Sequence, residues 1–336
     1  PETSGSAGGK ATEDYPGGTK AMKNNLTRRG FVRAAAAGSA AMAWLGAGGA
    51  PTVLAAKADK PALLGGTPVH QGGWPRWPQW QQSWEPEVLA ALRSGRWSGA
   101  GGGGRIAQFE SGYAKLLGAR RCVATASGTT ALMVALRVMG VDAGDEVIVS
   151  PYTFIATYNA VLAHKALPVF ADTDPETLTI APASIESRIT ERTRAILPVH
   201  IYGLPCDMDR INAVAKKHNL AVVEDACQAW LAEYKGRKCG VLGDLGCFSF
   251  QESKHIAAGE GGAVTGDSDE LLDRYAAYRD CGRSFGTFKG NGYFSHGLNY
   301  RMKHYQAEIL SRQFDKLATE TQRRRQNADY LTAALK

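Results

Sequence analysis

Residues 122–132 read Cys122-Val123-Ala124-Thr125-Ala126-Ser127-Gly128-Thr129-Thr130-Ala131-Leu132. Residues 122–126, apolar but for Thr125, read as a strand. From 129 to 139 the apolar residues 131, 132, 135, 138 and 139 fall at helical spacing. Between the two lies a Ser-Gly-Thr-Thr turn. The first amides of a helix have no partner inside it, so Gly128, Thr129 and Thr130 can turn theirs toward a phosphate-sized anion. Taken alone, Ser127 is equally an ordinary N-cap. A strand that feeds through a turn into a helix is the repeating unit of an α/β sheet.

The alternation continues on both sides. Downstream, strands are predicted at 146–150, 168–171, 195–199, 221–224, 246–250 and 262–265, with helices at 154–163 and 209–218. Upstream, 106–117 and the shorter 85–94 read as helices. Strands that are apolar throughout are buried on both faces. The expected fold class is therefore α/β, with a mostly parallel central sheet and helices on both faces. Ligands of such sheets bind beyond the carboxyl ends of the strands, where Ser127 and Asp225 both fall. The glycines at 101–104 read as a flexible loop, a linker rather than a cover. Residues 304–328 turn helical again.

Composition narrows the classes. The chain has 336 residues, 44% apolar and 21% charged, as ordinary globular proteins do. Its formal charge is +7, but residues 1–57 hold seven Lys/Arg against three Asp/Glu, which leaves +3 on the remainder. That is too little to argue for a nucleic-acid partner. Arg323-Arg324-Arg325 reads as a solvated helix face. The six cysteines form no CxxC pair and read as buried free thiols, so no metal site is expected.

Residues 1–25 have the composition of a disordered segment. Thr27-Arg28-Arg29-Gly30-Phe31-Val32, followed by an Ala/Gly-rich stretch, resembles a twin-arginine export signal over 26–56. That places the protein in the periplasm; without a functional signal it stays in the cytoplasm. The apolar core is short and rich in Gly and Ala, so no permanent membrane span is expected. The expected layout is then a lead-in over 57–104, a large domain over 105–303, and the start of a small, incomplete C-terminal domain over 304–336.

The remaining motifs carry chemistry. Ser249-Phe250-Gln251-Glu252-Ser253-Lys254 precedes Gly259-Glu260-Gly261-Gly262, and an apolar strand ends in Glu224-Asp225-Ala226-Cys227-Gln228. A pyridoxal phosphate (PLP) enzyme needs a lysine to form an imine with the cofactor aldehyde and to shuttle a proton. It also needs a carboxylate at the pyridine nitrogen, amides for the phosphate and a flat side chain over the ring. Lys254 alone reads as a surface lysine and Asp225 alone as a helix cap. Together with the Ser127–Thr130 turn, and in this order, they point to a PLP site.

From about Leu63 onward the chain resembles the DegT/DnrJ/EryC1/StrS family of PLP-dependent sugar aminotransferases. The blocks that carry the likeness include Ala126-Ser127-Gly128-Thr129-Thr130, Gly144-Asp145-Glu146-Val147-Ile148, Pro151-Tyr152-Thr153-Phe154 and Pro198-Val199-His200-Ile201-Tyr202-Gly203. The Asp225 and Lys254 segments and Gly297-Leu298-Asn299-Tyr300-Arg301-Met302 complete the set. Leu64-Gly65-Gly66-Thr67-Pro68-Val69 with Trp77-Pro78 is similar to the branch that aminates keto-cyclitols such as scyllo-inosose. The resemblance implies PLP fold type I, as in aspartate aminotransferase, and a homodimer with shared active sites. It implies Lys254 as the Schiff-base lysine and Asp225 as the partner of the ring nitrogen. Gln228 then lies beside the ring and its hydroxyl, Gly128, Thr129 and Ser249 hold the phosphate, and Phe154 stacks on the ring. Asn299 reaches the phosphate of the neighbouring subunit.

A dehydratase branch of that family carries histidine in place of the lysine; here Lys254 is retained five positions before Gly259. The expected activity is transfer of an amino group from L-glutamate or L-glutamine to a keto-sugar or keto-cyclitol. The alternatives are an exported PLP- or sugar-binding protein without turnover, and a PLP-dependent sugar dehydratase.

Overall fold

The computed structural model describes residues 60–68, 70, 72–293 and 295–336. The expected disordered stretch 1–25 and the twin-arginine-like segment 26–56 lie outside the described residues. The chain divides into two compact units, Pro1–Gly73 and Trp74–Lys336. In the first, the described residues form one 3-10 turn, Ala62–Leu64.

The second unit opens with α1 (Glu85–Arg93) and α2 (Gly104–Leu117). The alternating region follows: β1 (Arg121–Thr125), α3 (Gly128–Val138), β2 (Glu146–Val149), α4 (Ala156–Leu162) and β3 (Leu167–Phe170). It continues with α5 (Pro182–Glu186), β4 (Thr193–Leu197), α6 (Met208–His218) and β5 (Ala221–Asp225). A small hairpin, β6 (Glu233–Tyr234) and β7 (Arg237–Lys238), precedes β8 (Leu245–Ser249), β9 (Gly262–Gly266) and α7 (Asp269–Arg279). A second hairpin, β10 (Arg283–Phe285) and β11 (Phe288–Tyr293), leads to α8 (His304–Ser311) and α9 (Phe314–Leu335). The strands and helices expected between 85 and 265 form within two residues of their predicted bounds.

Seven strands make one sheet in the order β1-β9-β8-β5-β4-β2-β3. β3, β2, β4, β5 and β8 run parallel, and β9 runs antiparallel to both β8 and β1. β1 therefore points the same way as the parallel strands. Side chains alternate across the sheet, as strand geometry requires. Ile148, Ile196, Val222 and Phe248 pack in one core with Phe109, Tyr113 and Met208. Their neighbours Val147, Leu197, Val223 and Cys247 pack in a second core with Leu132, Val161 and Leu272. Helices thus cover both faces, which is why the strand sequences show no polar face.

Several features differ from the sequence pattern, among them the short helix α5 and the hairpin β6–β7, which were not expected. α7 was not expected, because its buried face includes Asp273 and Arg279 as well as Leu272 and Tyr275. The hairpin β10–β11 likewise has no alternation that marks it in the sequence. The predicted helix over 304–328 breaks between α8 and α9. There the buried amide of Gln313 accepts the N–H of Ala257 (3.1 Å) and donates to its carbonyl (2.9 Å). Leu310 and Leu317, on either side of the break, join the same core as Phe109. All six cysteines are free, four of them buried. Among the described residues no helix is long and apolar enough to cross a membrane.

Candidate active site

A cavity of about 550 Å³ opens at the carboxyl ends of β1, β5 and β8. It brings together Gly128, Thr129, Phe154, Asp225, Gln228, Ser249 and Lys254, seven of the eight residues singled out by sequence. Asn299 does not join it. That side chain is exposed in a separate depression of about 360 Å³ with Trp97, Gly99 and Arg301. A larger, open depression of about 720 Å³ lies at the amino ends of β4 and β5, between Thr190, Arg194, His218 and Asp244. It is on the wrong side of the sheet for a parallel-strand ligand site, and strand direction outweighs volume.

The floor begins with α3. Ser127 caps it: its hydroxyl accepts the Thr130 N–H (3.1 Å), while the Thr130 hydroxyl accepts the Ser127 N–H (2.9 Å). This reciprocal capping leaves the N–H groups of Gly128 and Thr129 for an external acceptor. Gly128 is required by space. A Cβ there would lie 2.6 Å from Ser249 Cβ and 3.0 Å from Cys227 Sγ. The close approach brings the Ser249 hydroxyl beside the free amides, and the positive end of the helix adds to the attraction for an anion.

Asp225 ends β5 and is 5% exposed. One carboxylate oxygen accepts the Cys227 N–H (3.1 Å), the other the Thr157 hydroxyl (2.8 Å). The Thr157 proton is committed to Asp225, so Thr153, 2.7 Å away, donates to Thr157. Lone pairs on Asp225 remain for a further donor from the cavity. Glu224 points to the opposite face of the strand and has a different task. Its two oxygens accept the N–H groups of Gly240, Leu242 and Gly243, each at 2.7 Å. It also receives Nε2–H of His200 at 2.9 Å. The Cys206 N–H donates to His200 Nδ1 (3.1 Å), so that nitrogen is unprotonated and the buried ring is neutral. Glu224 and His200 fix the loop beside β5 and hold Asp225 in place from behind.

Gln228 is oriented by its oxygen, which accepts the N–H of Tyr202 (2.9 Å); its amide N–H groups are thereby free for the cavity. Tyr202 adopts a left-handed backbone conformation (φ 52°) to present that N–H. Phe154 is 65% exposed, a flat apolar face on the wall of a polar cavity. Lys254 rests its ammonium 5.6 Å from the Trp230 ring centroid. His255 packs against the same Trp230 ring at a tilt of 39° (centroids 4.9 Å apart), its Nδ1 buried. Burial, with the charges of Arg324 and Lys254, pulls the His255 pKa down to about 4, so it is neutral at pH 7. Burial, and then the neighbouring Asp225, pushes the Cys227 thiol well up, which makes it inert.

Sequence reasoning missed Thr157, Glu224, His200 and Trp230. Thr157 lies 68 residues from the carboxylate it orients, and no local pattern marks such a pair. The Glu224-Asp225 doublet did carry a signal. Adjacent residues on a strand face opposite ways, so only one of two consecutive carboxylates can enter a site.

The sequence model of the DegT/DnrJ/EryC1/StrS aminotransferase family matches residues 79–336. The chain belongs to that family. It is 40% identical to the L-glutamine:2-deoxy-scyllo-inosose aminotransferase of Streptomyces paromomycinus, over 82% of this chain and 68% of that protein. It is 43% identical to the GDP-perosamine synthase of Caulobacter vibrioides, over 63% of this chain and 57% of that one. The crystal structure of an aminotransferase from Psychrobacter cryohalolentis superposes with a TM-score of 0.68 at 39% identity, covering 73% of this chain and 64% of that one. NtdA from Bacillus subtilis, solved with bound cofactor PMP, gives a TM-score of 0.60 at 33% identity, over 68% and 52% of the two chains. The chain thus spans about two thirds, or less, of the length of these relatives. Their fold is PLP fold type I, and so is the fold of this family member, which places it among the PLP-dependent aminotransferases.

Proposed function

We propose that this chain carries the PLP site of an aminotransferase that moves an amino group from L-glutamate or L-glutamine to a keto-sugar or keto-cyclitol. One observation carries it: Lys254, buried Asp225 and the free amides of α3 face one cavity.

The donor set fits pyridoxal phosphate. Gly128 and Thr129 N–H groups, with the Ser249 hydroxyl, suit a phosphate, and the space a Cβ would fill at Gly128 keeps them close. Asp225 retains lone pairs for a ring N–H, Gln228 has amide protons to give a ring hydroxyl, and Phe154 offers a face to stack on. When bound, PLP supplies an aldehyde and an electron-withdrawing ring that accepts the electrons of a broken C–H bond. Asp225, held by Thr157 and Cys227, keeps the ring nitrogen protonated and so sustains that withdrawal. Lys254 Nζ is the one amine of the described cavity lining, so it would take the proton from the amino donor's Cα and deliver it to the carbon of the cofactor aldehyde. His255, packed on Trp230 and absent from the lining, does not compete for this role. That favours amino transfer over the dehydration chemistry of the histidine branch.

The relatives named for scyllo-inosose and perosamine support a polyhydroxylated ketone as acceptor and glutamine as donor. The exposed position of Asn299 outside its own cavity supports a homodimer in which it reaches the partner's phosphate. The twin-arginine-like segment supports export to the periplasm, which fractionation of cells expressing the full chain tests.

Lys254→Ala is the decisive variant. Wild-type protein incubated with PLP is expected to show the visible band of a lysine-linked cofactor, and Lys254→Ala to lose both the band and all amino transfer. An unchanged band in the variant would sink the proposal. A screen of amino donors and keto-cyclitol acceptors, with the product read by mass, then fixes the substrates and separates amination from dehydration.

A further inference from the structure

The tryptophan-rich segment before α1 has no role in the cavity, yet it touches the residue that matters most there. The indole N–H of Trp77 donates to the backbone carbonyl of Lys254 at 3.0 Å, across 177 residues of chain. We propose that Trp77 is a positioning residue for Lys254, an inference that rests on Lys254 being the cofactor lysine.

The contact is specific rather than a by-product of packing. Trp77 is 38% exposed, so burial of the ring explains only part of its placement. On its face sits the guanidinium of Arg324, 5.7 Å from the ring centroid. Two turns earlier on α9, Lys316 lies 4.7 Å from the ring centroid of Trp84, and Trp80 meets Trp84 edge to face at 5.6 Å. Residues eight apart on a helix are about 12 Å apart along its axis. The segment is therefore clasped to α9 at two points, and the clasp sets where the Trp77 N–H can reach.

At the other end of that bond, the backbone around Lys254 is held group by group. The Lys254 N–H donates to the Gln251 carbonyl (2.9 Å), and Trp77 takes the Lys254 carbonyl. Three residues on, Gln313 holds both the N–H and the carbonyl of Ala257. A lysine side chain has four rotatable bonds. Its amine can be placed repeatably only if the peptide planes on either side of its Cα are fixed. Trp77 fixes the plane that follows, and pre-set geometry of a reacting amine translates into rate.

The test uses the full chain and Trp77→Phe, which keeps a ring for Arg324 and removes the N–H. The rate at which PLP added to apoprotein acquires the lysine-linked visible band is measured, together with kcat, KM for the amino donor and Tm. Band formation and kcat per folded site are expected to fall together by about two- to tenfold, the range of one neutral hydrogen bond, with KM unchanged. A purely structural staple would lower Tm but leave both rates at wild-type values, and that result overturns the inference. If Trp77→Phe does not fold, benzothienylalanine at position 77 asks the same question, because it exchanges the N–H for sulfur at nearly constant shape. Lys254→Ala separates the two layers. Loss of its band with wild-type rates in the Trp77 variant rejects the positioning role alone; a retained band rejects the cofactor lysine and the inference with it.

Discussion

Two junctions in this molecule share a local sequence logic and differ in what they do. At each, a strand ends, a serine caps, and a helix begins. Ser127 stands between β1 and α3, and its hydroxyl accepts the Thr130 N–H. Ser268 stands between β9 and α7, and its hydroxyl accepts the Leu271 N–H at 3.3 Å. β1 and β9 are antiparallel neighbours, so the two helices start at opposite ends of the sheet. The first turn of α7 carries Asp269 and Glu270, and Asp269 is paired with Arg120 and Arg121. Its helix pole is neutralised by its own side chains. The first turn of α3 carries no acid and opens on the cavity. A capped helix start becomes an anion site only when it keeps its amides free, carries no acid of its own and faces the carboxyl ends of the strands.

The sharpest way to break this contrast is to give α3 the acid of α7. Thr129 occupies the helix position that Glu270 occupies in α7. Thr129→Glu places a carboxylate beside the phosphate position. Two like charges about 5 Å apart near a protein surface repel by roughly 3 kcal/mol, so PLP affinity is expected to drop by roughly a hundredfold. Acids in a first helical turn are themselves stabilising by about 0.3–1 kcal/mol. The apoprotein should therefore be no less stable than wild type. Equilibrium PLP titration and thermal unfolding read the two opposite signs, and an unchanged PLP affinity would remove α3 as the phosphate site.

A smaller effect sharpens the comparison. Ser127→Ala and Ser268→Ala each remove one cap and are each expected to lower stability by about 1 kcal/mol in chemical denaturation. Only Ser127→Ala should also weaken PLP binding, because only that cap holds the turn against the cavity. Equal cofactor losses in both variants would mean that the effect travels through general stability.

The smallest expected effect is in pH. The hydrogen bond from Arg120, with that from Arg121, holds the Asp269 carboxyl below its ordinary range. A carboxylate with a lowered folded pKa contributes stability above its unfolded value of about 3.9, and that stability is lost as pH falls through the lowered one. The start of α7 should thus loosen only in strong acid, below the unfolded value of about 3.9, while α3, with no titrating group in its first turn, should not. Amide exchange of the first turns at pH 3 and pH 6 measures it, and Asp269→Asn should reduce the difference, with Glu270 keeping a smaller share.

The Ser127 cap and the bare first turn of α3 are legible along the chain, since capping involves residues three apart. So are the strands, because burial on both faces leaves them apolar throughout. The Ser268 cap and its helix were not read, because the buried face of α7 carries Asp273 and Arg279. Lys254, Asp225 and the Ser127–Thr130 turn were legible as chemistry, each in a short motif. Ser249 joined them only through the family resemblance, and two partners were not legible at all: Thr157 on Asp225 and Trp77 on Lys254 are contacts between segments remote in sequence. A hydrogen bond across such a distance imposes no periodicity or composition on either segment.

The sequence by itself determined the sheet strands, most of the helices packed on them, the sheet class and the reactive groups, because those follow from hydrophobic spacing and from what an amine, a carboxylate or a free amide can do. Only the tertiary structure decided which capped helix faces the cavity, that Glu224 braces the strand while Asp225 enters the site, and that the tryptophan segment reaches Lys254. Those outcomes depend on strand direction and on distances between remote segments, and the folded packing of the whole sheet sets both.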